Sequence, residues 1–324
     1  MDSYAGRRAL VIGGLGYLGS NLTSTLLAAS AEVTIVTPAR NRHASAVSGY
    51  EARDARVVEA DVRDLAAMRE VVRGQGVVFN VSGRSGALRS VQEPLIDLDV
   101  NCAGSLALLE ALRLENPGAK LVFAGTRLVY GAARALPVSE DHALTPLCPH
   151  GVHKAAVEQY LAVYGRLYGL RATVLRMTNP YGPGQPRDRS AYGVINYLIH
   201  RALAGQSLPI YGDGGQLRDY VFIDDTVDAM LLAGLDARSD GRVYNVGSGV
   251  GTSMLDAARL IIETVGAGRV ELQAWPPVVR QIDTGDFVAD VRRIGDELGW
   301  RPAVALPDGL RRTVAESVAE GAGR

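Results

Sequence analysis

The stretch Arg8-Ala9-Leu10-Val11-Ile12-Gly13-Gly14-Leu15-Gly16-Tyr17-Leu18-Gly19 decides the fold of this chain. Its first five residues read as a buried strand, and residues 17–29 read as the helix that follows. Between them the glycines recur as G-x-x-G-x-x-G. Gly13 permits a tight turn, Gly16 lets the backbone approach a pyrophosphate, and Gly19 lets helix and strand pack closely. The helix start then turns its N–H groups toward the phosphates. Because strand and helix flank the loop in the right order, nucleotide binding is a better reading than an unliganded glycine turn.

Working outward, short apolar runs at residues 33–37, 57–60, 77–81, 120–124 and 171–176 read as further strands. Helical patterns at 65–72, 95–114 and from about 151 onward separate them. The strands are apolar almost throughout rather than alternating, as expected when helices cover both faces of a parallel sheet. The pattern is α/β, a doubly wound parallel sheet. After Met177 the texture changes to Gly-Pro clusters, short strands and helices, without a linker or repeat. A second, smaller unit packed onto the first is expected there.

Composition excludes several classes. The 324 residues carry 34 Lys+Arg against 35 Asp+Glu, a formal net charge of −1, so no global electrostatic case exists for nucleic acid or an anionic membrane. The 37 glycines exceed the usual share of roughly 7% and fall unevenly. No signal-peptide pattern and no run of about 18 apolar residues is visible. Cys102 and Cys148 stand apart, without CxxC or metal-ligand spacing, and are expected to be buried thiols of a cytoplasmic protein with no metal site.

An acid at the end of the second strand would mark NAD. That strand ends instead in Thr37-Pro38-Ala39-Arg40-Asn41-Arg42, where Arg40 and Arg42 are suited to a 2′-phosphate, so NAD or NADP is expected. Asp61-Val62, after the third strand, reads as an adenine contact, with Asp61 equally suited to capping a helix.

Further motifs carry a resemblance. They are Asp61-Val62-Arg63-Asp64, Asn101 in Asp99-Val100-Asn101-Cys102-Ala103-Gly104, and Gly125-Thr126-Arg127-Leu128-Val129-Tyr130-Gly131. Beyond them lie Arg176-Met177-Thr178-Asn179-Pro180-Tyr181-Gly182-Pro183, Arg218-Asp219-Tyr220-Val221-Phe222-Ile223-Asp224-Asp225, Tyr244-Asn245-Val246-Gly247 and Leu298-Gly299-Trp300-Arg301-Pro302. Nearly end to end, the chain resembles an extended short-chain dehydrogenase/reductase of the nucleotide-sugar epimerase and dehydratase family. The resemblance implies a Rossmann-type domain over residues 1–176, to which 216–240 return, and a C-terminal α/β substrate-binding domain formed by 177–215 and 241–324. It implies cofactor contacts from Gly13, Gly16, Tyr17, Leu18, Arg40, Asp61, Val62, Asn101 and Lys154. It also implies a homodimer through helices at 95–114 and 151–168.

Family chemistry is transient oxidation of a sugar carbon by bound NAD(P). A Tyr in Y-x-x-x-K takes the hydroxyl proton, the Lys holds the ribose, and a Ser or Thr hydrogen-bonds the reacting oxygen. Thr126 and Lys154 match, but His150 stands where the Tyr belongs. Spacing four sets His150 and Lys154 on one helix face. An imidazole can act as a general base near neutrality, and a nearby ammonium favours its neutral form. Its tip falls about 2 Å short of a phenol oxygen, so a shifted substrate or a bridging water is needed for contact. His153, where the family has a small residue, is close enough to share the role or to cap the pocket. The Asp-Glu pair of the family's dehydratases is replaced by Arg127-Leu128, which disfavours 4,6-dehydration.

On the substrate side, Asn179, Arg218 and Arg280 match positions that hold a nucleotide-sugar diphosphate, and Tyr211 lies beside the nucleoside. Tyr181 and Tyr192 are further candidates for the pocket wall. The expectation is NAD(P)-dependent modification of a nucleotide-activated sugar, most simply C4 epimerisation. The alternatives are a nucleotide-sugar-binding pseudoenzyme and a reductase or tailoring enzyme on another carbonyl substrate.

Overall fold

The computed structural model describes residues 2–38, 44–185 and 193–322. Strands β1 (Arg8–Ile12), β2 (Glu32–Thr37), β3 (Arg56–Glu59), β4 (Val77–Asn80), β5 (Lys120–Thr126) and β6 (Arg171–Met177) form the first half. Helices α1 (Tyr17–Ala28), α2 (Ala44–Glu51), α3 (Leu65–Val71), α4 (Ala87–Gln92), α5 (Pro94–Leu98), α6 (Gly104–Glu115) and α7 (Pro149–Tyr168) connect them. Then come β7 (Asn179–Tyr181), β8 (Ser207–Tyr211), β9 (Leu217–Phe222), β10 (Val243–Val246), β11 (Gly251–Ser253) and β12 (Arg269–Gln273).

Seven strands build one parallel sheet in the order β3-β2-β1-β4-β5-β6-β10. Along β1, Ala9 and Val11 enter one hydrophobic cluster, while Leu10 and Ile12 enter the cluster on the opposite face. Burial on both faces explains why these strands show no polar alternation. Each fully buried Leu, Ile or Val contributes roughly 1.5–3 kcal/mol. The strand order reverses between β1 and β4, and the loops leaving their carboxyl ends diverge there to open a crevice.

Two expectations are corrected. Residues 241–324 were assigned to the second unit, yet β10 completes the large sheet beside β6, because the fully buried Tyr244 and Val246 cover its open edge. The helix expected over 95–114 is interrupted: α5 runs into a π-helical segment, Asp99–Ala103, before α6 begins. Asp97 and Asn101 are both buried along this stretch. Single-turn π segments frequently mark functional sites.

The remaining strands form a three-stranded sheet, β11-β9-β7, and the pair β12-β8. The helix Ile223–Leu235 packs back against α1, so the two parts of the chain share one core cluster.

Candidate active site

Two adjoining cavities, of about 1230 and 530 Å³, open at the crevice and share Leu15, Gly16, Ser82, Gly83 and Arg84. The glycine loop forms their floor. A Cβ on Gly13, whose φ is +87°, would lie 2.9 Å from the Ser82 backbone, and one on Gly19 would lie 2.2 Å from the Gly13 carbonyl oxygen. Only glycine closes this turn. Helix α1 begins at Gly16 with no side-chain cap and no acid in its first turn, so its N–H groups and positive dipole end face the cavity uncompensated. The Tyr17 hydroxyl is buried without a hydrogen-bond partner among the described residues. This donor set suits the pyrophosphate of a dinucleotide.

In the larger cavity Gly13 and Gly16 are joined by Asp61, Val62 and Tyr211. Asp61 is held by Arg63 through contacts of 2.7 and 2.9 Å, which keep its carboxyl below the usual range. The helix cap considered for Asp61 is supplied by Asp64, whose side chain accepts from the Ala67 N–H at 3.1 Å. Tyr211 packs on Trp275 with ring centroids 5.4 Å apart. Arg40 and Tyr192 lie outside the described residues.

The smaller cavity brings together Tyr17, Leu18, Asn101, Thr126, His150 and Lys154, with Asn179 and Tyr181 on the same wall. Helix α7 supplies His150 and Lys154. Pro149 occupies its first turn, and a Cβ on Gly151 would sit 2.6 Å from the Leu128 carbonyl oxygen, so the helix start is pressed against the end of β5. Lys154 is buried; its ammonium donates to the Ala124 carbonyl at 3.0 Å and lies over the Phe123 ring. Burial pushes its pKa down to about 8, against the raising pull of Asp97 and Glu158. Thr126 Oγ1 accepts from the Leu128 N–H at 3.3 Å. The Asn101 amide is committed to the backbone of Arg84, accepting at 3.1 Å and donating at 2.9 Å, so it braces the loop after β4.

His150 is buried, and burial pushes its imidazole toward the neutral form, with Lys154 acting in the same direction. The positive end of α7 adds to that preference. Its Nδ1 faces Asp97, a residue the sequence reading passed over. The His150 Nδ1 to Asp97 Oδ2 distance is 3.6 Å, and His153 Nδ1 lies 2.8 Å from Asp97 Oδ1. Burial alone would raise the Asp97 pKa, but the two imidazoles, helped by the Asn101 amide, outweigh it and hold the carboxyl at about 2. The available signal was a carboxylate inside an apolar stretch, one helical turn before Asn101.

The expected diphosphate arginines are not on the cavity wall. Arg218 is buried, ion-paired with Asp283 at 2.5 Å, and donates to the Gly285 carbonyl at 2.7 Å. Arg280 is exposed on the short helix Pro277–Ile282, whose neighbouring Val279 reaches the larger cavity instead. Asn179 donates to the Asp219 carbonyl at 2.7 Å. Arg127 turns away from the cavity, donating to Thr284 at 2.7 Å and lying over Phe287, while Leu128 lines the wall.

Fold and cavity together define a dinucleotide-binding α/β enzyme. The chain belongs to the NAD dependent epimerase/dehydratase family, whose signature matches residues 9–247. It is 36% identical to a UDP-glucose 4-epimerase of Mycolicibacterium smegmatis over 313 residues, covering 95% of this chain and 97% of that protein. The structure of a UDP-glucose 4-epimerase with UDP-glucose from Thermotoga maritima matches at a TM-score of 0.86 and 31% identity, covering 96% of this chain and 99% of that one. A dTDP-glucose 4,6-dehydratase of Streptomyces venezuelae with NAD bound matches at 0.87 and 28% identity, covering 98% of both chains. The chain is thus an NAD(P)-dependent enzyme of nucleotide-sugar modification. Among the described residues no helix is long and apolar enough to cross a membrane, and no cluster suited to a metal ion occurs.

Proposed function

We propose that this chain interconverts the C4 epimers of a nucleotide-activated sugar through a transient ketone, with His150 taking the hydroxyl proton that a tyrosine takes elsewhere in the family. The observation that carries this reading is the joining of Thr126, His150 and Lys154 in one cavity to the glycine-loop cavity beside it. When bound, the dinucleotide supplies a reversible acceptor for the hydride from C4.

The chain's own residues do the rest. The start of α1 at Gly16–Leu18 binds the pyrophosphate, and the Lys154 ammonium has donors left for a ribose hydroxyl beyond its bond to Ala124. Thr126 orients the reacting oxygen. The buried, neutral imidazole of His150 accepts the proton and returns it. Relatives that act at C4, and the absence of an Asp-Glu pair after Thr126, support epimerisation over dehydration.

Exposed apolar side chains on α5 and α7, including Leu95 (77% exposed), Leu98, Val152 and Leu167, support a homodimer through these helices. The buried free thiols of Cys102 and Cys148 support work in a reducing compartment such as the cytoplasm.

Mass spectrometry of the purified protein, followed by assay of UDP- and dTDP-sugars beside His150→Ala, tests the reading. Copurifying NAD or NADP and epimerisation that the substitution abolishes are expected. Sugar binding without turnover in the wild type would instead assign a pseudoenzyme. One observation favours the reductase reading: neither Arg218 nor Arg280 lines the cavities. That reading predicts no turnover of UDP-sugars and NAD(P)H-dependent reduction of a carbonyl compound without a diphosphate, its KM unchanged in Arg218→Met and Arg280→Met.

A further inference from the structure

We propose that Asp97 and His153 are positioning residues for His150: the carboxylate, anchored on one oxygen by His153, holds the His150 ring with Nδ1 inward and Nε2 toward the cavity as a proton acceptor. This rests on the assignment of His150 as the base.

The geometry starts from a buried carboxylate. Asp97 is 2% exposed on α5, and a charge so placed needs donors. Those it meets across the helix contact are two imidazoles of α7, three residues apart and therefore on one helix face. Oδ1 is taken by His153 at 2.8 Å. Oδ2 faces the His150 Nδ1 at 3.6 Å, and that buried nitrogen has no closer partner among the described residues. An ionised carboxylate only accepts, so a neutral His150 facing it carries its proton on Nδ1. The lone pair then sits on Nε2, the other edge of a ring that lines the catalytic cavity. Catalytic hydrogen bonds are often long before substrate binds and tighten in the complex.

An imidazole needs this help, because its two nitrogens exchange roles with the tautomer, whereas a phenol presents one oxygen. The groups that act on His150 are Asp97 from α5 and His153 and Lys154 from α7; the Cys148 thiol just before the helix meets the His150 backbone. Asp97 favours the charged ring, whereas Lys154, His153 and burial favour the neutral one. In the step itself the sugar O–H bond breaks, its proton joins Nε2, and its electron pair stays on oxygen. The resulting imidazolium keeps Nδ1–H toward Asp97, and the reverse transfer restores both groups.

The test is ¹⁵N-histidine NMR of the NAD-loaded protein, whose five histidines give a resolvable spectrum, with His150 assigned by comparison with His150→Gln. The wild type is expected to show His150 as the Nδ1–H tautomer. Asp97→Asn is expected to shift it toward Nε2–H and to lower kcat by a factor of about 10²–10⁴ without changing KM for UDP-glucose. His153→Asn, which retains a donor toward Asp97, is expected to lose less than His153→Leu. An Nε2–H tautomer in the wild type overturns the proposal, whatever the turnover. So does a folded, NAD-bound Asp97→Asn with unaltered tautomer and pH profile. If Asp97→Asn does not fold, the wild-type tautomer and the two His153 variants decide. Should His150→Gln leave turnover intact, the base assignment falls while the tautomer result still stands alone.

Discussion

Replacing Lys154 by Met is expected to abolish turnover and at the same time stabilise the dinucleotide-free protein. The ammonium is buried against one carbonyl and one aromatic ring, with no carboxylate in hydrogen-bond contact among the described residues. Its pKa falls from 10.5 to about 8. At about 1.4 kcal/mol per tenfold, this is a penalty of about 3 kcal/mol on the folded state at pH 7. Met fills similar volume without charge. It forfeits the bond to Ala124, worth about 1 kcal/mol, and the ring contact, worth about 0.5–1 kcal/mol. The net gain is about 1–2 kcal/mol. With about 2.1 cal/mol/K of unfolding entropy per residue over 324 residues, the melting temperature rises by about 2–3 °C.

The sign follows from proton binding. The folded pKa lies below the unfolded one, so between about pH 8 and 10.5 the unfolded chain binds more protons, and wild-type stability rises with pH through that window. The advantage of Met should therefore shrink above pH 8, vanish at about pH 9 and reverse above it, where the wild type keeps the bond to Ala124 without the charge penalty. Differential scanning calorimetry of both proteins at several pH values reads it, and contributions of Lys120, Cys102 and Cys148 cancel in the difference. The chain has only two lysines, so ¹⁵N-lysine NMR also follows the titration directly. A variant less stable than the wild type at pH 7, or a pH-independent difference, would show that the buried ammonium carries no such penalty.

Glu158→Gln breaks a buried pair with Arg176, whose closest contact is 2.6 Å, and should cost about 3–5 kcal/mol by denaturant unfolding. Replacing both partners by apolar residues should cost much less. Gly19→Ala pushes a Cβ to 2.2 Å from the Gly13 oxygen and should weaken NAD binding by about tenfold or more in calorimetric titration. Leu95→Glu, at a 77% exposed apolar site on α5, should convert a dimer to a monomer in sedimentation analysis.

The first half of the fold was legible because physical constraints write themselves locally there. Strands buried on both faces must be apolar, and a phosphate turn must be glycine, so β1 to β6 and the loop at Gly13 could be read residue by residue. The π segment at Asp99–Ala103 was not legible, since it keeps helical periodicity on either side and shifts only the register of Asp97 and Asn101. Nor was the fate of Arg218: motif spacing gives its position along β9, but its pairing with Asp283 is 65 residues away in sequence. His150 stood out because one residue broke a pattern. Asp97 did not, because its meaning appears only when α5 and α7 are packed together.

Every role proposed for the site depends on His150 as the proton acceptor of a working epimerase. The direct measurement loads wild type and His150→Ala with NAD, supplies UDP-glucose or UDP-galactose, and follows C4 configuration by proton NMR. Interconversion by the wild type and a loss of about 10²-fold or more in His150→Ala with NAD still bound are expected. Interconversion at the same rate in both proteins, or none in the wild type, would remove His150 from that role.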